Sequence, residues 1–236
     1  MDNVYHKVFK IHFAIFSVCF IYTILFVSFY LVCFFDREGL YKLIISNKTY
    51  ENLPFTLSMP DIKLIATELM EYISGKLTFL ETKVTIDGIL TDFYSVRSKI
   101  HMADVRNIII NLKKVEYLAM MFLIISTFKI IRYENFLSIL YKIYVRAIII
   151  ITAIISIIFI FAFINFDAFF VKFHQVLFTN DLWLLDPNVD YIICLLPEKI
   201  FMTYGFRMVI AMLLLIIFSA LVLRILSKIR SHQEAK

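Results

Sequence analysis

The sequence predicts an all-α, polytopic membrane protein with four transmembrane helices and a small extracytoplasmic helical cap. Of its 236 residues, 61% are hydrophobic and 17% are aromatic, and the mean hydropathy is +0.83. A soluble domain could not bury so much apolar surface, whereas a lipid bilayer accepts it. The chain also contains four apolar runs of the length that a helix needs to cross the hydrocarbon core. We therefore interpret 1–236 as a single integral membrane domain.

The apolar runs place the spans at about 8–35, 115–131, 147–166 and 206–226. The first run is too long for the apolar core of a signal peptide and has no small-residue cleavage motif, so we expect it to stay in the protein. Charged residues bound the second run, with Lys113 and Lys114 before it and Arg132 after it. Four spans put the two termini on the same side of the membrane.

Two polar segments separate the spans on the other side. Segment 36–114 is the predicted outer cap and segment 167–205 is a predicted outer loop. In the cap, Pro60 and Asp61 suit a helix start, apolar residues then recur on one face, and Gly75 suits the helix end. We expect the amphipathic faces of the cap to rest on lipid headgroups or to pack on the spans.

Basic residues indicate which side is the cytoplasm. The connection between the second and third spans carries Lys129, Arg132, Lys142 and Arg146 against Glu134 alone, and the C-terminal segment has the same bias. The positive-inside rule therefore predicts that both termini are cytoplasmic and that the cap and outer loop are extracytoplasmic. The net charge of +5 is then a sign of membrane topology and not of nucleic-acid binding.

Two histidines on the predicted outer side have acidic neighbours. His101 and Asp104 are spaced to share a helix face, with Arg97 one turn earlier. Asp167 and His174 would also share a face if the third helix continued beyond the bilayer. A carboxylate beside an imidazole fixes its tautomer and raises its pKa, as in a general base or acid. The pattern indicates an acid–base pair or a metal site, whereas the bland alternative for each histidine is a headgroup contact.

A second group of polar residues follows in the outer loop. Trp183 is typical of a membrane interface, Asp186 begins a turn with Pro187, and Glu198 stands where the fourth helix would begin. One interpretation is an anchoring loop and a helix start. The other is a lid over the site, in which Asp190 or Glu198 orients a histidine. No metal ion is expected, because the histidines and the three cysteines lack metal-ligand spacing.

Four motifs in this order resemble the bacterial lipoprotein intramolecular transacylase family over essentially the whole chain. They are His-Met-x-Asp-Val-Arg at 101–106, Phe-His-x-x-Leu-Phe at 173–178, Trp-x-x-Asp-Pro at 183–187 and Leu-Pro-Glu-x-x-Phe at 196–201. The resemblance implies that His101 and His174 match the family's histidines, with Asp104, Trp183, Asp186 and Glu198 in the same motifs. Many family members carry a Glu shortly before the first histidine, whereas this chain has Ser98, Lys99 and Ile100.

The resemblance implies an intramolecular acyltransferase. Such an enzyme moves the sn-2 acyl chain of a diacylglyceryl-modified lipoprotein to the α-amino group of its N-terminal cysteine, which gives a lyso-form lipoprotein. The partners are then the lipoprotein N-terminus and membrane lipids, and no cofactor or nucleic acid is expected. The alternatives are a membrane-embedded hydrolase or metalloenzyme that uses the same histidines and, as a non-enzymatic interpretation, a scaffold or transporter subunit.

This reaction needs no enzyme nucleophile, because the substrate's own amine attacks. We expect His101, tuned by Asp104, to accept the proton of the amine and His174 to protonate the departing glycerol oxygen, although the two histidines could exchange roles. Arg97 or Arg106 would stabilise the tetrahedral oxyanion.

Overall fold

The computed structural model describes residues 2–130 and 136–234. Eight α-helices are present in these residues: α1 (Asp2–Tyr30), α2 (Gly39–Asn47), α3 (Met59–Ile73), α4 (Val96–Ile130), α5 (Phe136–Ile164), α6 (Phe166–Leu177), α7 (Ile192–Leu195) and α8 (Glu198–Glu234). A π-helical segment, Leu31–Phe35, extends α1, and a 3₁₀ turn, Thr49–Asn52, follows α2. Strands β1 (Lys83–Ile86) and β2 (Ile89–Asp92) form a hairpin.

The chain divides into two compact units. The described residues of the first unit are 2–29, 113–130, 136–160 and 208–234. The second unit comprises 30–112 and 161–207, and every candidate site residue named above lies in it. The prediction of a single integral membrane domain stays a prediction.

Three helices of the described residues are long and apolar enough to cross a membrane: Lys10–Phe35, Leu137–Ile164 and Glu198–Ile229. They overlap the first, third and fourth predicted spans. The third helix starts earlier than the predicted 147, and the fourth starts at Glu198, directly after Pro197 as expected. The predicted second span, 115–131, is helical as far as Ile130 within α4, but charged residues near both of its ends leave a shorter apolar window. Its last residue lies outside the described residues, so the second span, and with it the count of four spans, stays a prediction.

The apolar surface of the first unit is arranged for lipid. A small core joins Ile21 and Ile24 of α1, Tyr144 of α5, and Met212 and Ile216 of α8. Most other long apolar side chains of α5 and α8 are exposed in the structure, and the most apolar stretch of α5 is only 6% buried. Helices that are apolar on all sides but buried on few are stable in hydrocarbon and not in water.

The predicted helix of segment 36–114 is α3. The hydroxyl of Ser58 accepts a hydrogen bond from the Asp61 N–H at 3.2 Å, which caps the helix start next to Pro60. Gly75 follows the helix end with φ of +86°, a conformation that suits glycine. The apolar face of α3 packs into the main core of the second unit with α2, α7 and the first turn of α8.

The predicted helical cap also contains a β-hairpin, which the sequence analysis did not predict. Strands β1 and β2 pair with Ile86 opposite Ile89, and the turn between them is Asp87-Gly88. Both turn residues have positive φ, 50° and 83°, as the two-residue hairpin turn that favours Asp-Gly requires. The strands are only four residues long, so the alternation that identifies a strand was too short to see, although the Asp-Gly pair itself was a usable signal.

The third membrane helix does not continue to His174, so the condition under which Asp167 and His174 were expected to share a face of that helix is not met. Helix α5 ends at Ile164, and α6 begins at Phe166 after a single connecting residue, Asn165. The Asn165 carboxamide oxygen accepts a hydrogen bond from the Ala168 N–H at 3.0 Å, so a new helix is capped here. Asp167 and His174 still share a helix, but that helix is α6.

Candidate active site

Two buried histidines face each other in the second unit. His101 lies in the second turn of α4 and His174 in the last turn of α6, and their ring centroids are 5.8 Å apart. His101 is 4% exposed and His174 is 7% exposed. Imidazoles at this separation are close enough to contact one small reacting group placed between them.

His174 is fixed by one hydrogen bond and several aromatic rings. Its Nδ1 lies 2.7 Å from the Phe170 carbonyl oxygen, and because a carbonyl can only accept, Nδ1 is the nitrogen that donates. The neutral ring therefore carries its free lone pair on Nε2. Trp183 stacks on the ring at 4.9 Å with an interplanar angle of 27°, and Phe178 lies at 5.6 Å. The orientation and the tautomer of His174 are thus both set by its neighbours.

His101 is held less tightly. Its Nδ1 is buried and has no hydrogen-bond partner among the described residues. The ring of Phe178 meets it edge-on at 5.0 Å, so this one aromatic side chain contacts both histidines. A buried polar nitrogen without a partner is costly, and such sites are found where a substrate completes the hydrogen bonding.

Burial dominates the protonation of both rings. It lowers the pKa of His101 to about 4, with repulsion from a charged His174 as the second cause, and the Asp104 carboxylate only partly offsets these effects. Burial also lowers the pKa of His174, against the opposing effect of its hydrogen bond to Phe170. The expectation that Asp104 would give His101 a raised pKa is therefore wrong, because desolvation outweighs the carboxylate. In both rings the lowered pKa favours the neutral form at pH 7.

Asp104 is connected to His174 through the loop and not through His101. Its Oδ2 accepts a hydrogen bond from the Asn180 side-chain amide at 2.9 Å. The Asn180 carboxamide oxygen in turn accepts from the Leu182 N–H at 3.0 Å, one residue before Trp183. This connection, which we call the Asp104–Asn180 clasp, ties the helix of His101 to the tryptophan that covers His174.

The two arginines are anchored to backbone carbonyls. Arg97 donates to the carbonyl of Asp181. The Nε of Arg106 donates to the Tyr72 carbonyl at 3.1 Å, and its guanidinium lies 5.3 Å from the centre of the Tyr72 ring. These contacts suit structural roles, and they give no support to either arginine as the oxyanion donor.

Asp190 supports the start of the helix that carries His101. This carboxylate is 2% exposed and accepts hydrogen bonds from the Ser95 hydroxyl and, at 2.9 Å, from the Asp186 N–H. The Ser95 hydroxyl also accepts from the Ser98 N–H at 3.0 Å, in the first turn of α4. Asp190 therefore acts on the helix and not directly on a histidine, while Asp186 also caps the turn at Asn188.

Neither Glu198 nor Asp167 makes a hydrogen bond or ion pair with His101 or His174 among the described residues. Each is exposed and stands in the first turn of a helix, α8 and α6 respectively, where a carboxylate is favoured by the helix dipole. Phe170, Phe178 and Asn180 were not predicted as site residues, although Phe178 is part of one of the family motifs. Among residues 2–130 and 136–234, no three His, Cys, Asp or Glu side chains are placed to hold a metal ion.

The fold is that of a helical membrane protein. Its two neighbouring buried imidazoles are groups that can transfer protons. The chain belongs to the lipoprotein intramolecular transacylase family, because the family model described as "Lipoprotein intramolecular transacylase Lit" matches residues 14–201. Membership makes this chain a multi-pass membrane protein and an acyltransferase, and it does not favour the hydrolase or metalloenzyme alternative.

Solved structures of one relative share the fold. The in meso structure of the membrane-integral lipoprotein intramolecular transacylase Lit from Bacillus cereus is 24% identical, with a TM-score of 0.68 over 98% of this chain and 99% of that one. A form of the same protein in which a histidine is replaced by arginine is 23% identical, with a TM-score of 0.70 over 100% of this chain and 99% of that one. No curated protein sequence matches the chain.

Proposed function

We propose that this lipoprotein intramolecular transacylase moves the sn-2 acyl chain of a diacylglyceryl lipoprotein to the α-amino group of the lipoprotein's N-terminal cysteine. The observation that carries the proposal is the buried pair His101 and His174 in a chain of this family. The cysteine nitrogen attacks the ester carbonyl carbon, a C–N bond forms, and the C–O bond to glycerol breaks. One proton passes from the nitrogen to the glycerol oxygen, so no co-reactant is needed.

His174 is the better base of the two. Its Nδ1 donates to Phe170, so the Nε2 lone pair is available to accept the proton of the attacking amine. Trp183 and Phe178 keep the ring in this orientation before substrate arrives. The same Nε2 can then return the proton to the departing glycerol oxygen, so His174 keeps the acid role expected from the sequence and also takes the base role expected of His101.

His101 is suited to the oxyanion. A ring with a pKa of about 4 remains neutral at pH 7 and offers an N–H without losing its proton. A neutral imidazole can polarise a carbonyl in this way, and it does not require a charged group to be buried. Donation from His101 to the developing oxyanion replaces the role that was predicted for Arg97 or Arg106.

The acidic residues position the pair. The Asp104–Asn180 clasp links α4 to the loop of Trp183, and Asp190 secures the first turn of α4 through Ser95. Asp186 shapes the turn that presents Asp190. A site that is held before substrate binds lowers the barrier by orienting the amine and the ester as neighbours. Asp167 and Glu198 act on helix starts and have no role in proton transfer.

We also propose four spans, with both termini in the cytoplasm and the histidine pair on the extracytoplasmic side. The support is the excess of basic residues in the segments that would be cytoplasmic. A cysteine introduced at Asp87, in the exposed hairpin turn, should react with a membrane-impermeant maleimide in intact cells. Reaction only after the cells are permeabilised would reverse this topology.

The test of the function is mass spectrometry of the N-terminal lipopeptide of a diacylglyceryl lipoprotein incubated in membranes that contain the protein. The expected product has an unchanged number of acyl chains, with one chain moved from glycerol to nitrogen. Membranes with His174→Ala serve as the matched control and should leave both chains on glycerol. Release of a chain as free fatty acid by the wild type would instead identify a hydrolase, and no change at all would refute the proposal.

A further inference from the structure

Helix α6 has a continuous apolar stripe. At about 100° per residue, its apolar side chains other than Ala168 and Val171 fall within an arc of about 120°. The stripe consists of Phe166, Phe169, Phe170, Phe173, Val176 and Leu177. The remaining arc carries Asp167, Lys172 and Gln175, so the helix is amphipathic with a polar side of both charges.

The stripe is only partly covered by the rest of the protein: Phe166, Phe169 and Phe170 are half-buried, and Phe170 lies against His174, Trp183 and Phe201. The one fully buried residue of α6 is His174, which lies at the edge of the stripe beside Phe170. Within the stripe, Phe173 is 47% exposed, Val176 is 73% exposed and Leu177 is 41% exposed. A soluble helix normally turns its apolar face towards the core, whereas here half of the residues of that face are exposed.

The connection from α5 to α6 indicates what the exposed part of the stripe contacts. Helix α6 starts one residue after Ile164, the last residue of a helix that is long and apolar enough to cross a membrane. The Asn165 N–H donates to the Phe161 carbonyl and the Asn165 side chain caps α6, so α6 is a separate helix that starts where the apolar helix α5 ends. An amphipathic helix with phenylalanines on one face and a lysine on the other, starting at that depth, has the features of an interfacial helix.

We infer that α6 lies in the membrane surface, with its Phe-Val-Leu stripe against the acyl chains at the glycerol level and its polar arc towards the headgroups. The occupant of the exposed face is therefore a lipid surface. Because His174 lies on the same helix, the helix also sets the depth of His174 at the level of lipid ester bonds. This second part rests on the proposed function, since it supposes that the substrate ester is what His174 meets.

Spin labels on the two arcs test the lipid contact. We would label Val176→Cys and Phe173→Cys on the stripe and Gln175→Cys and Lys172→Cys on the polar arc, in full-length protein without its native cysteines. The vesicles would contain phosphatidylcholine and phosphatidylglycerol. Labels on the stripe should collide more with oxygen than with a water-soluble nickel chelate, and labels on the polar arc should show the reverse. Equal access to the chelate at all four positions, or a stripe closed to both reagents, would overturn the inference.

A charge on each arc tests the depth of His174. Val176→Lys would draw the stripe away from the lipid and should lower the rate of acyl transfer at least about tenfold, whereas Gln175→Lys adds the same charge on the polar arc and should change it less than about twofold. Wild-type transfer by Val176→Lys would overturn the depth-setting part. If even the wild type transferred no acyl chain, the proposed function would fail while the spin labels still decided the lipid contact.

Discussion

His101 in α4 and His174 in α6 are both buried, but their surroundings hold the two rings to different degrees. His174 has a backbone acceptor on Nδ1 and a stacked tryptophan, so its tautomer and its plane are fixed. His101 has a buried Nδ1 without a partner among the described residues and an edge contact with Phe178. The difference lies in hydrogen bonding: the orientation of His174 is fixed before substrate binds, whereas His101 retains a hydrogen-bonding nitrogen that no described residue uses, which is the basis of the two roles proposed above.

The largest expected effect separates these two roles directly. His174→Ala should lower kcat/KM about 10³-fold through loss of the base, and His101→Ala about 10²-fold through loss of one oxyanion donor. A glutamine at 101 retains an N–H donor and should recover part of the rate, whereas a glutamine at 174 cannot act as a base and should not. Rates of N-acylation measured by mass spectrometry check this, with thermal unfolding to confirm that each variant is folded. Rescue at 174 and not at 101 would exchange the roles.

Removal of the stacked ring should reduce the difference between the two sites. Trp183→Ala should lower kcat about tenfold, because His174 would lose the contact that fixes its plane, and Trp183→Phe should stay within about threefold of wild type. Leu184→Ala, at an exposed neighbouring position, is the matched control and should leave kcat unchanged. A loss confined to KM in Trp183→Ala would show that Trp183 holds the substrate and not the imidazole.

The Asp104–Asn180 clasp should have a smaller effect. Asn180→Ala and Asp104→Ala should each lower kcat about fivefold, as expected for one hydrogen bond of about 1 kcal/mol. Their combination should cost no more than either alone, because both remove the same bond. Asp104→Asn can still accept from Asn180 and should stay within about twofold of wild type. A loss in Asp104→Asn as large as in Asp104→Ala would show that the charge matters more than the bond.

The smallest effect expected is on the pH dependence of stability. Burial lowers the pKa of His101 to about 4, so between its ordinary value of about 6.5 and that pH the unfolded chain binds a proton that the folded chain refuses. Stability should therefore fall as the pH drops through this window and be insensitive to this group above it; His174 acts in the same direction. Unfolding temperatures in detergent between pH 4.5 and 7.5 should fall less steeply in His101→Gln. Identical slopes in the two proteins would contradict the burial of a neutral ring.

Periodicity and composition were sufficient for the helices that have strong local signals. Three of the four predicted spans overlap long apolar helices, and α3 begins and ends where Pro60 and Gly75 indicated. The break at Asn165 was less visible, because it interrupts neither the apolar content nor the helical pattern, and only its capping side chain separates α5 from α6. An Asn followed two residues later by Asp is the local signal that could have identified it.

The sequence indicated that His101 and His174 would lie together, but not the electrostatics of the pair. Spacing placed Asp104 beside His101 and correctly gave the direction of its effect on the pKa, but the larger effect of burial cannot be seen from spacing. The same limitation applies to Asn180, whose partners are 76 residues away in α4 and two residues away in its own loop. Contacts of this kind form only when the loop folds onto the helix, so no periodic pattern in the sequence predicts them.

Trp183 is the single tryptophan of the chain, and it is stacked on His174. All tryptophan fluorescence of the protein thus originates from a ring in contact with the proposed base. A protonated imidazole at van der Waals distance quenches an excited indole more strongly than a neutral one does. The emission intensity is therefore an internal optical gauge of whether His174 holds a proton, readable in unlabelled protein while an acyl chain is transferred.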